Sequence, residues 1–275
     1  MLRSQKRKAF GQHFLNDQII IDSIVSEFLK VYSSFNCESI LEIGPGKGAL
    51  TFCLLDQLKT KKIEPKKLTL AEKDRELVQH WKQQEQDISL DILEGDFLRS
   101  STDKWYKEFP IGVISNLPYS SATAIVTKLA SFNNIPCMVL MFQKEVAQRL
   151  HARPNTKALG SLSLWIQNNW DVKPLIIVKP QSFTPPPKVD SEVVIMTKRS
   201  APVINKTNEN NKTWEKLLKI CFQNRRKMLR SNLKLSQWSD VLKLSEVDPT
   251  RRAEALSWDE WKQLFSASLK VFNNE

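Results

Sequence analysis

The pentapeptide Ser-Asn-Leu-Pro-Tyr, residues 115–119, joins a predicted buried strand to a predicted helix and is suited to chemistry on an amino group. An aromatic amine is a weak nucleophile because its lone pair is delocalised into the ring. The Asn116 side-chain oxygen and the Leu117 carbonyl can accept both amino hydrogens, which orients the nitrogen and raises its nucleophilicity. Pro118 stiffens the turn, and a base can stack on Tyr119. Asparagine and proline also favour plain chain reversal, so other strand ends must decide between a turn and a site.

Three glycines, Gly44, Gly46 and Gly48, fall within five residues after another predicted strand. Such clustering indicates a tight turn where the backbone approaches a ligand. A P-loop is excluded because Lys47 precedes glycine instead of serine or threonine. Ala49 permits a dinucleotide fingerprint, and the amino-acid end of S-adenosylmethionine would suit the loop equally well. The loop alone leaves both cofactors open.

Carboxylates follow the next two predicted strands. Glu72 in LTLAEKD can accept hydrogen bonds from both hydroxyls of a ribose, which suits either cofactor. Asp96 in LEGDF can accept from an adenine amino group. Taken singly, Glu72 is better explained as an exposed residue at a strand end, and Asp96 is equally well explained as a helix cap.

These residues lie together only if their strands are parallel neighbours. Four apolar stretches, each followed by helix-like sequence, predict a doubly wound parallel sheet in an α/β fold: ESILEIG, KLTLAEKD, ISLDILEGD and IGVISNLPY. The carboxyl ends of such strands form one ligand-binding edge. A helix capped by Asp17 precedes them, and PCMVLMFQKEVAQRL predicts a strand running into a helix. WIQNNWDVKPLIIVKP and SEVVIMTKR predict late strands, which we expect to pair antiparallel.

The chain divides into two predicted domains, residues 1–200 and residues 201–275. The polar stretch 199–213 has the composition of a linker. Beyond it, WEKLLKICF has apolar residues on one helical face, and Ser257 with Glu260 forms a capping-box pattern. No glycine follows Gly160, which also favours a small helical domain at the carboxyl end.

The composition of the chain limits which kinds of partner and location are expected. The 275 residues carry a net charge of +11, which favours a polyanion such as RNA over an anionic membrane surface. No apolar run reaches the roughly 18 residues of a membrane span, and the amino-terminal stretch lacks the apolar segment of a secretory signal. We expect a cytoplasmic protein, with a short mitochondrial presequence left open. The four dispersed cysteines and three histidines predict neither a metal site nor disulfides.

The sequence resembles the ribosomal RNA adenine dimethyltransferases over nearly its whole length. The stretches that carry the resemblance occur in family order: KRKAFGQHFLND, LEIGPGKGALT, AEKD, GDF, NLPYSSAT, QKEVAQRL, LGSLSL, SFTPPPKVDSEVV, FQNRRKML and RRAEALS. The tail and the PNTKALGSLSL segment resemble the bacterial small-subunit type. The resemblance implies a Rossmann-like S-adenosylmethionine-dependent methyltransferase domain with a small C-terminal helical domain that binds RNA.

The implied activity is dimethylation of two adjacent adenosines in the 3′-terminal hairpin of 16S rRNA, within an immature small ribosomal subunit. The resemblance also implies a monomer. Two basic runs, residues 3–8 and residues 224–230, are the predicted phosphate contacts, and the second is predicted to lie on a helix.

Site residues carry over from the family motifs one by one. His13 and Leu15 would close over the cofactor. Gly44, with Gly46 beside it, would meet the methionine end. Glu72 would hold the ribose, and Asp96 the adenine. His13 stands where relatives often have asparagine, which can likewise donate a hydrogen bond.

The catalytic residues implied by the resemblance are Asn116, Leu117, Tyr119 and Phe183. Asn116 would hold the target amino group and also belongs to the cofactor site. Tyr119 and Phe183 would sandwich a base flipped out of its stack. Ser115 stands where glycine or phenylalanine is common.

Two other classes of protein remain to be weighed. An NAD-dependent dehydrogenase needs a catalytic proton donor, and none of the three histidines has a convincing context. A nucleic-acid-binding relative that had lost catalysis would show a damaged NLPY or glycine loop. Both motifs are intact.

Overall fold

The computed structural model describes residues 13–84, 90–101, 109–205, 208–234 and 237–272. The basic run 3–8 lies outside the described residues. The β-strands are β1 Phe14–Leu15, β2 Ser39–Ile43, β3 Lys67–Glu72, β4 Asp91–Glu94, β5 Ile111–Asn116, β6 Cys137–Gln143, β7 Trp170–Val178, β8 Phe183–Thr184 and β9 Ser191–Lys198. The α-helices are α1 Gln18–Ser34, α2 Ala49–Lys61, α3 Arg75–Gln84, α4 Ala122–Ala130, α5 Lys144–Leu150, α6 Ser161–Gln167, α7 Asn208–Cys221, α8 Leu229–Asn232, α9 Gln237–Leu244 and α10 Trp258–Phe272.

A seven-stranded sheet with the order β4-β3-β2-β5-β6-β9-β7 forms the first unit. β2 pairs parallel with both β3 and β5, β3 pairs parallel with β4, and β5 with β6, whereas β9 is antiparallel to β6. All five residues of β2 are buried, as expected for a strand with both faces covered. The predicted α/β sheet is confirmed, and the strand order reverses between β2 and β5, where such sheets bind ligands.

The core of the first unit forms where α1 packs on the sheet. Asp17 caps this helix by accepting a hydrogen bond from the Ile20 N–H, as predicted. Phe28 and Tyr32 are buried, and a Cβ built on Gly112 of β5 would lie only 2.8 Å from the Tyr32 ring. The glycine therefore allows the helix to approach the strand closely.

The chain separates into two compact units, residues 1–147 with 171–198, and residues 148–170 with 199–275. The sequence predicts residues 148–170 in the first domain, whereas the structure includes them in the second unit. Part of this segment, 165–167, was predicted as strand but lies in helix α6. The periodicity of so short an apolar stretch does not distinguish helix from strand.

A helical core stabilises the second unit. Trp214, Leu217 and Leu218 of α7 are buried, as the predicted helical face requires, and the Trp214 ring packs edge-on against Trp261. The stretch 199–213 is not wholly a linker, because α7 already begins at Asn208.

The amino terminus of α10 has the predicted capping box. The Ser257 hydroxyl accepts from the Glu260 N–H at 3.3 Å, and the Glu260 carboxylate accepts from the Ser257 N–H at 2.7 Å. These reciprocal bonds satisfy two amide groups that a helix terminus otherwise leaves without partners.

The prediction of a helix over 224–230 is wrong for most of that run. Helix α7 ends at Cys221, turns follow, and α8 begins only at Leu229. The Asn232 side-chain amide donates to the carbonyl oxygens of Cys221 at 2.8 Å and Asn224 at 3.3 Å. A side-chain donor thus satisfies carbonyls that a continuing helix would have used.

Candidate cofactor and substrate site

A cavity of about 390 Å³ lies within the first unit at the carboxyl ends of the parallel strands. It brings together nine of the ten predicted site residues: His13, Leu15, Gly44, Gly46, Glu72, Asp96, Asn116, Leu117 and Tyr119. These residues are distant in sequence, and the parallel register of the sheet places them at one edge. Phe183 is the predicted residue that does not line the cavity.

The glycine loop between β2 and α2 forms one wall of this cavity. Gly46 has a φ of +58°, and a Cβ at this position would lie 3.1 Å from the Phe14 ring. Its N–H donates to the Glu72 carboxylate at 3.2 Å, and its carbonyl accepts from the Trp81 indole at 3.1 Å. Glycine is required by both the left-handed backbone and the close packing, which leaves room for a ligand beside the main chain.

Glu72 lies at the end of β3 and is almost fully buried. One carboxylate oxygen accepts from the N–H groups of Lys73 and Asp74 at 2.8 Å each, while the other accepts from Gly46. Burial raises the pKa of this carboxyl, and the backbone hydrogen bonds oppose that rise. The backbone donors hold the carboxylate at the cavity wall, where its remaining lone pairs suit a ribose.

Asp96 combines the two roles that its sequence position allowed. One oxygen accepts from the Leu98 N–H at 3.0 Å and caps the turn, and the other pairs with the Lys73 ammonium at 3.0 Å. The Lys73 bond holds the pKa of Asp96 below its usual value. Because the side chain also lines the cavity, an ionised acceptor faces the space expected for an adenine.

Asn116 ends β5, and its side-chain nitrogen donates to the main-chain carbonyl of His13 at 3.2 Å. This bond orients the amide so that its oxygen is left as an acceptor. The next residue, Leu117, donates its N–H to the Met141 carbonyl at 3.3 Å. Ser115, which directly precedes Asn116, is buried. Its hydroxyl donates to the Ile43 carbonyl, and this hydrogen bond joins β5 to β2 at the strand ends.

Two contacts fix the side chain of Tyr119, one through its hydroxyl and one through its ring. Its hydroxyl lies 2.6 Å from the hydroxyl of buried Ser191, and its ring stacks on His13 with centroids 5.6 Å apart and planes 27° apart. His13 Nδ1 in turn donates to the Pro185 carbonyl at 2.7 Å. Burial raises the pKa of Tyr119, so the phenol is neutral and available as a stacking surface.

Phe183 lies in the hydrophobic core of the first unit and is only 2% exposed. It pairs with Leu15 where β1 and β8 form a two-stranded sheet. The sandwich predicted from Tyr119 and Phe183 is therefore not assembled in this structure.

Glu42 also lines the cavity, although it is not among the residues predicted from the sequence. It is 1% exposed, accepts a hydrogen bond from the Thr51 hydroxyl at 2.7 Å, and lines the cavity two residues before Gly44. Burial raises its pKa to about 8. Its position beside the glycine loop was the available signal, but an acidic residue inside a predicted buried strand was assigned no role.

Over the described ranges, no group of three or more histidine, cysteine, aspartate or glutamate side chains is placed to hold a metal ion. No helix in the described part of the chain is both long and apolar enough to cross a membrane.

The strand order, the glycine loop and the acidic residues that end β3 and follow β4 form the ligand site of a Rossmann-like fold. Its family makes this chain an S-adenosylmethionine-dependent methyltransferase. Solved structures share the fold. A dimethyladenosine transferase from Plasmodium falciparum has a TM-score of 0.72 at 24% identity, covering 95% of this chain and 98% of that one. The 23S rRNA methyltransferase ErmE has a TM-score of 0.67 at 20% identity, covering 92% and 98%.

The chain belongs to the ribosomal RNA adenine dimethylase family, whose profile matches residues 3–269. It is 35% identical to the Ribosomal RNA small subunit methyltransferase A of Enterococcus faecalis, over 95% of this chain and 90% of that protein. The same-named protein of Saccharophagus degradans is 38% identical, over 94% and 92%. The cofactor is therefore S-adenosylmethionine and not the dinucleotide that the glycine loop alone would also allow.

Proposed function

We propose that this enzyme dimethylates the exocyclic amino groups of two adjacent adenosines in the 3′-terminal hairpin of 16S rRNA. The names of the small-subunit relatives support the choice of substrate. The observation that carries the chemistry is the Asn116 amide at the end of β5, oriented by His13 within the cavity. We further propose that the enzyme acts as a cytoplasmic monomer on an immature small subunit.

The bound cofactor supplies an electrophilic methyl group on its sulfonium. Glu72 would hold the ribose and Asp96 the adenine, with the glycine loop against the methionine end. These assignments fit the residues present, because buried or ionised acceptors and a cradle lacking Cβ atoms line the same cavity.

The protein acts on the target base by orientation. The Asn116 oxygen and the Leu117 carbonyl accept the two amino hydrogens, which directs the nitrogen lone pair and strengthens the nucleophile. Tyr119, fixed by Ser191, supports one face of the flipped base. No strong general base is required, since the methylated amine is acidic enough to lose its proton to water.

Contact with RNA is proposed for the basic surface of the protein. The net charge is +11, and Arg226 and Lys227 in the second unit are exposed. Cationic side chains of this kind bind phosphates without sequence selectivity and make affinity depend on salt.

The test uses small ribosomal subunits from a strain that lacks this modification. Incubation with the protein and S-adenosylmethionine should produce dimethyladenosine at two adjacent positions of the 3′-terminal hairpin, mapped by mass spectrometry of RNA fragments. The Asn116→Ala variant serves as the inactive control. The same incubation is carried out with large ribosomal subunits in parallel. Dimethyladenosine found only in large-subunit RNA, or none in either RNA, would overturn the proposed substrate.

A further inference from the structure

Lys128 on α4 is a cationic side chain with an unusual set of acceptors. Its ammonium donates to the main-chain carbonyls of Phe97 at 2.8 Å, Leu98 at 3.2 Å and Ser100 at 3.2 Å. It also lies 4.9 Å from the centroid of the Phe97 ring. One ammonium group therefore satisfies three carbonyl oxygens of a single turn.

That turn, residues 96–100, follows β4 and forms part of the cavity wall. The N–H groups of Arg99 and Ser100 donate to the Asp96 carbonyl at 2.9 and 3.0 Å, and the Leu98 N–H donates to the Asp96 carboxylate. These bonds turn the carbonyls of the segment toward Lys128. Asp96 and Phe97 both line the cavity, so the placement of two ligand-facing residues depends on the geometry of this turn.

Lys128 is partly buried, and its hydrogen bonds to the three backbone carbonyls lie within the first unit. Burial lowers the pKa of Lys128, and nearby Asp96 opposes this shift. A partly desolvated ammonium without its acceptors would be costly. Removing the ammonium would take one donor from each of the three carbonyls, of which the Phe97 carbonyl keeps the Ser100 hydroxyl at 2.8 Å. The turn and the helix therefore hold each other in place.

We propose that Lys128 is a positioning residue for the adenine end of the cofactor. It holds the 96–100 turn against α4 so that Asp96 meets the adenine amino group and Phe97 lies beside the ring. The proposal rests on the assignment of Asp96 to adenine in the proposed function. Because α4 begins directly after the 116–121 turn, the same helix also joins the adenine site to the target-base site.

Lys198 offers a matched control within the same unit. Its ammonium donates to the Phe132 carbonyl at 3.0 Å, the Asn133 carbonyl at 3.3 Å and the Asn133 side chain at 3.1 Å. Burial lowers its pKa as well. The residues that accept these bonds do not line the cavity. Lys198→Met therefore removes a similar set of ammonium hydrogen bonds at a position away from the candidate site.

The experiment is calorimetric titration of S-adenosylhomocysteine and of its inosine analogue into the wild type, Lys128→Met, Lys128→Arg and Lys198→Met. Unfolding midpoints are recorded without ligand. Lys128→Met should weaken S-adenosylhomocysteine binding by on the order of 10- to 100-fold, the usual effect of misplacing an orienting group. It should also reduce the preference for adenine over hypoxanthine. Lys128→Arg keeps several hydrogen-bond donors. It should therefore retain most of the affinity for S-adenosylhomocysteine and most of the preference for adenine over hypoxanthine.

Lys198→Met should lower the unfolding midpoint but leave the affinity and the preference unchanged. Equal loss of affinity in Lys128→Met and Lys198→Met, or an unchanged adenine preference in Lys128→Met, would overturn the proposal. If Lys128→Met does not fold, Lys128→Gln is titrated with the same criteria. If the wild type binds S-adenosylhomocysteine and its inosine analogue equally, the assignment of Asp96 to adenine is contradicted, and so is the positioning role of Lys128. The proposed methylation of small-subunit RNA is tested separately, by the assay described above.

Discussion

The side-chain amide of Asn116 donates a hydrogen bond to the main-chain carbonyl of His13, 103 residues earlier in the chain. The same histidine stacks its ring on Tyr119, so one residue contacts two of the groups assigned to the target base. The bond occupies the amide nitrogen of Asn116 and leaves its oxygen as the acceptor. Under the proposed mechanism, this bond would set the orientation that the amine requires before any substrate arrives.

Replacing Asn116 by alanine should abolish most turnover while leaving cofactor affinity nearly unchanged. Loss of one preorganised acceptor costs on the order of a hundredfold or more, by analogy with oxyanion-hole deletions. Single-turnover methylation of small-subunit RNA gives the rate, and calorimetry with S-adenosylhomocysteine gives the affinity. Methylation near the wild-type rate would remove Asn116 from the mechanism.

The hydrogen bond between Tyr119 and Ser191 should behave as a unit. Tyr119→Phe and Ser191→Ala should each slow single-turnover methylation severalfold, since a neutral hydrogen bond contributes about 1 kcal/mol. The double variant should be no slower than either single variant, because both changes remove the same bond. Additive losses would show that the two hydroxyls act independently.

Phe183→Ala should act mainly on stability. The side chain is buried in the core, and truncating a buried phenylalanine costs about 3–5 kcal/mol. Denaturant unfolding measures the loss, and Phe109→Ala, at a ring that is 40% exposed, is the control with a small effect. A wild-type unfolding midpoint combined with impaired methylation would instead support the base-stacking role predicted from the sequence.

Glu42→Gln should change how stability depends on pH. The folded pKa of about 8 lies above the ordinary value of 4.5, so between these pH values the native state binds a proton that the unfolded state has lost. Unfolding free energy therefore falls as pH rises through this window, by up to about 1.4 kcal/mol per unit from this group. Glutamine stays neutral and can still accept from Thr51.

The stability of Glu42→Gln relative to the wild type should consequently increase from pH 5 to pH 8. Denaturant unfolding at several pH values measures the difference. Parallel pH profiles for the two proteins would mean that Glu42 is ionised in the folded state.

The three basic residues at 225–227 should differ in their effects. The Arg225 guanidinium donates to the carbonyls of Lys157 at 2.5 Å and Leu159 at 2.7 Å, so Arg225→Ala should lower the stability of the second unit. Arg226→Ala and Lys227→Ala should weaken RNA binding and reduce its salt slope by up to about one unit per lost phosphate contact. RNA affinity measured against salt tests this. Three slopes equal to the wild type would assign the run to ordinary solvated surface.

Much of the candidate site could be predicted from the sequence because its chemistry resides in local motifs. The glycine loop, Glu72, Asp96 and the 116–119 turn each follow an apolar run whose burial defines a strand. Parallel strands bring their carboxyl ends to one edge, so residues distant in the chain lie in one cavity. Local patterning and one topological rule were sufficient for these residues.

Other features depended on contacts that no local pattern encodes. Phe183 lies in the stretch SFTPPPK, for which the family resemblance implies base stacking, yet pairing with Leu15 buries it in the core. The run 224–230 has helical composition, but the Asn232 side chain satisfies the carbonyls where α7 ends. Lys128 and Ser191 gain their roles from partners about 30 and 70 residues away, and only the folded chain brings such partners within hydrogen-bonding distance.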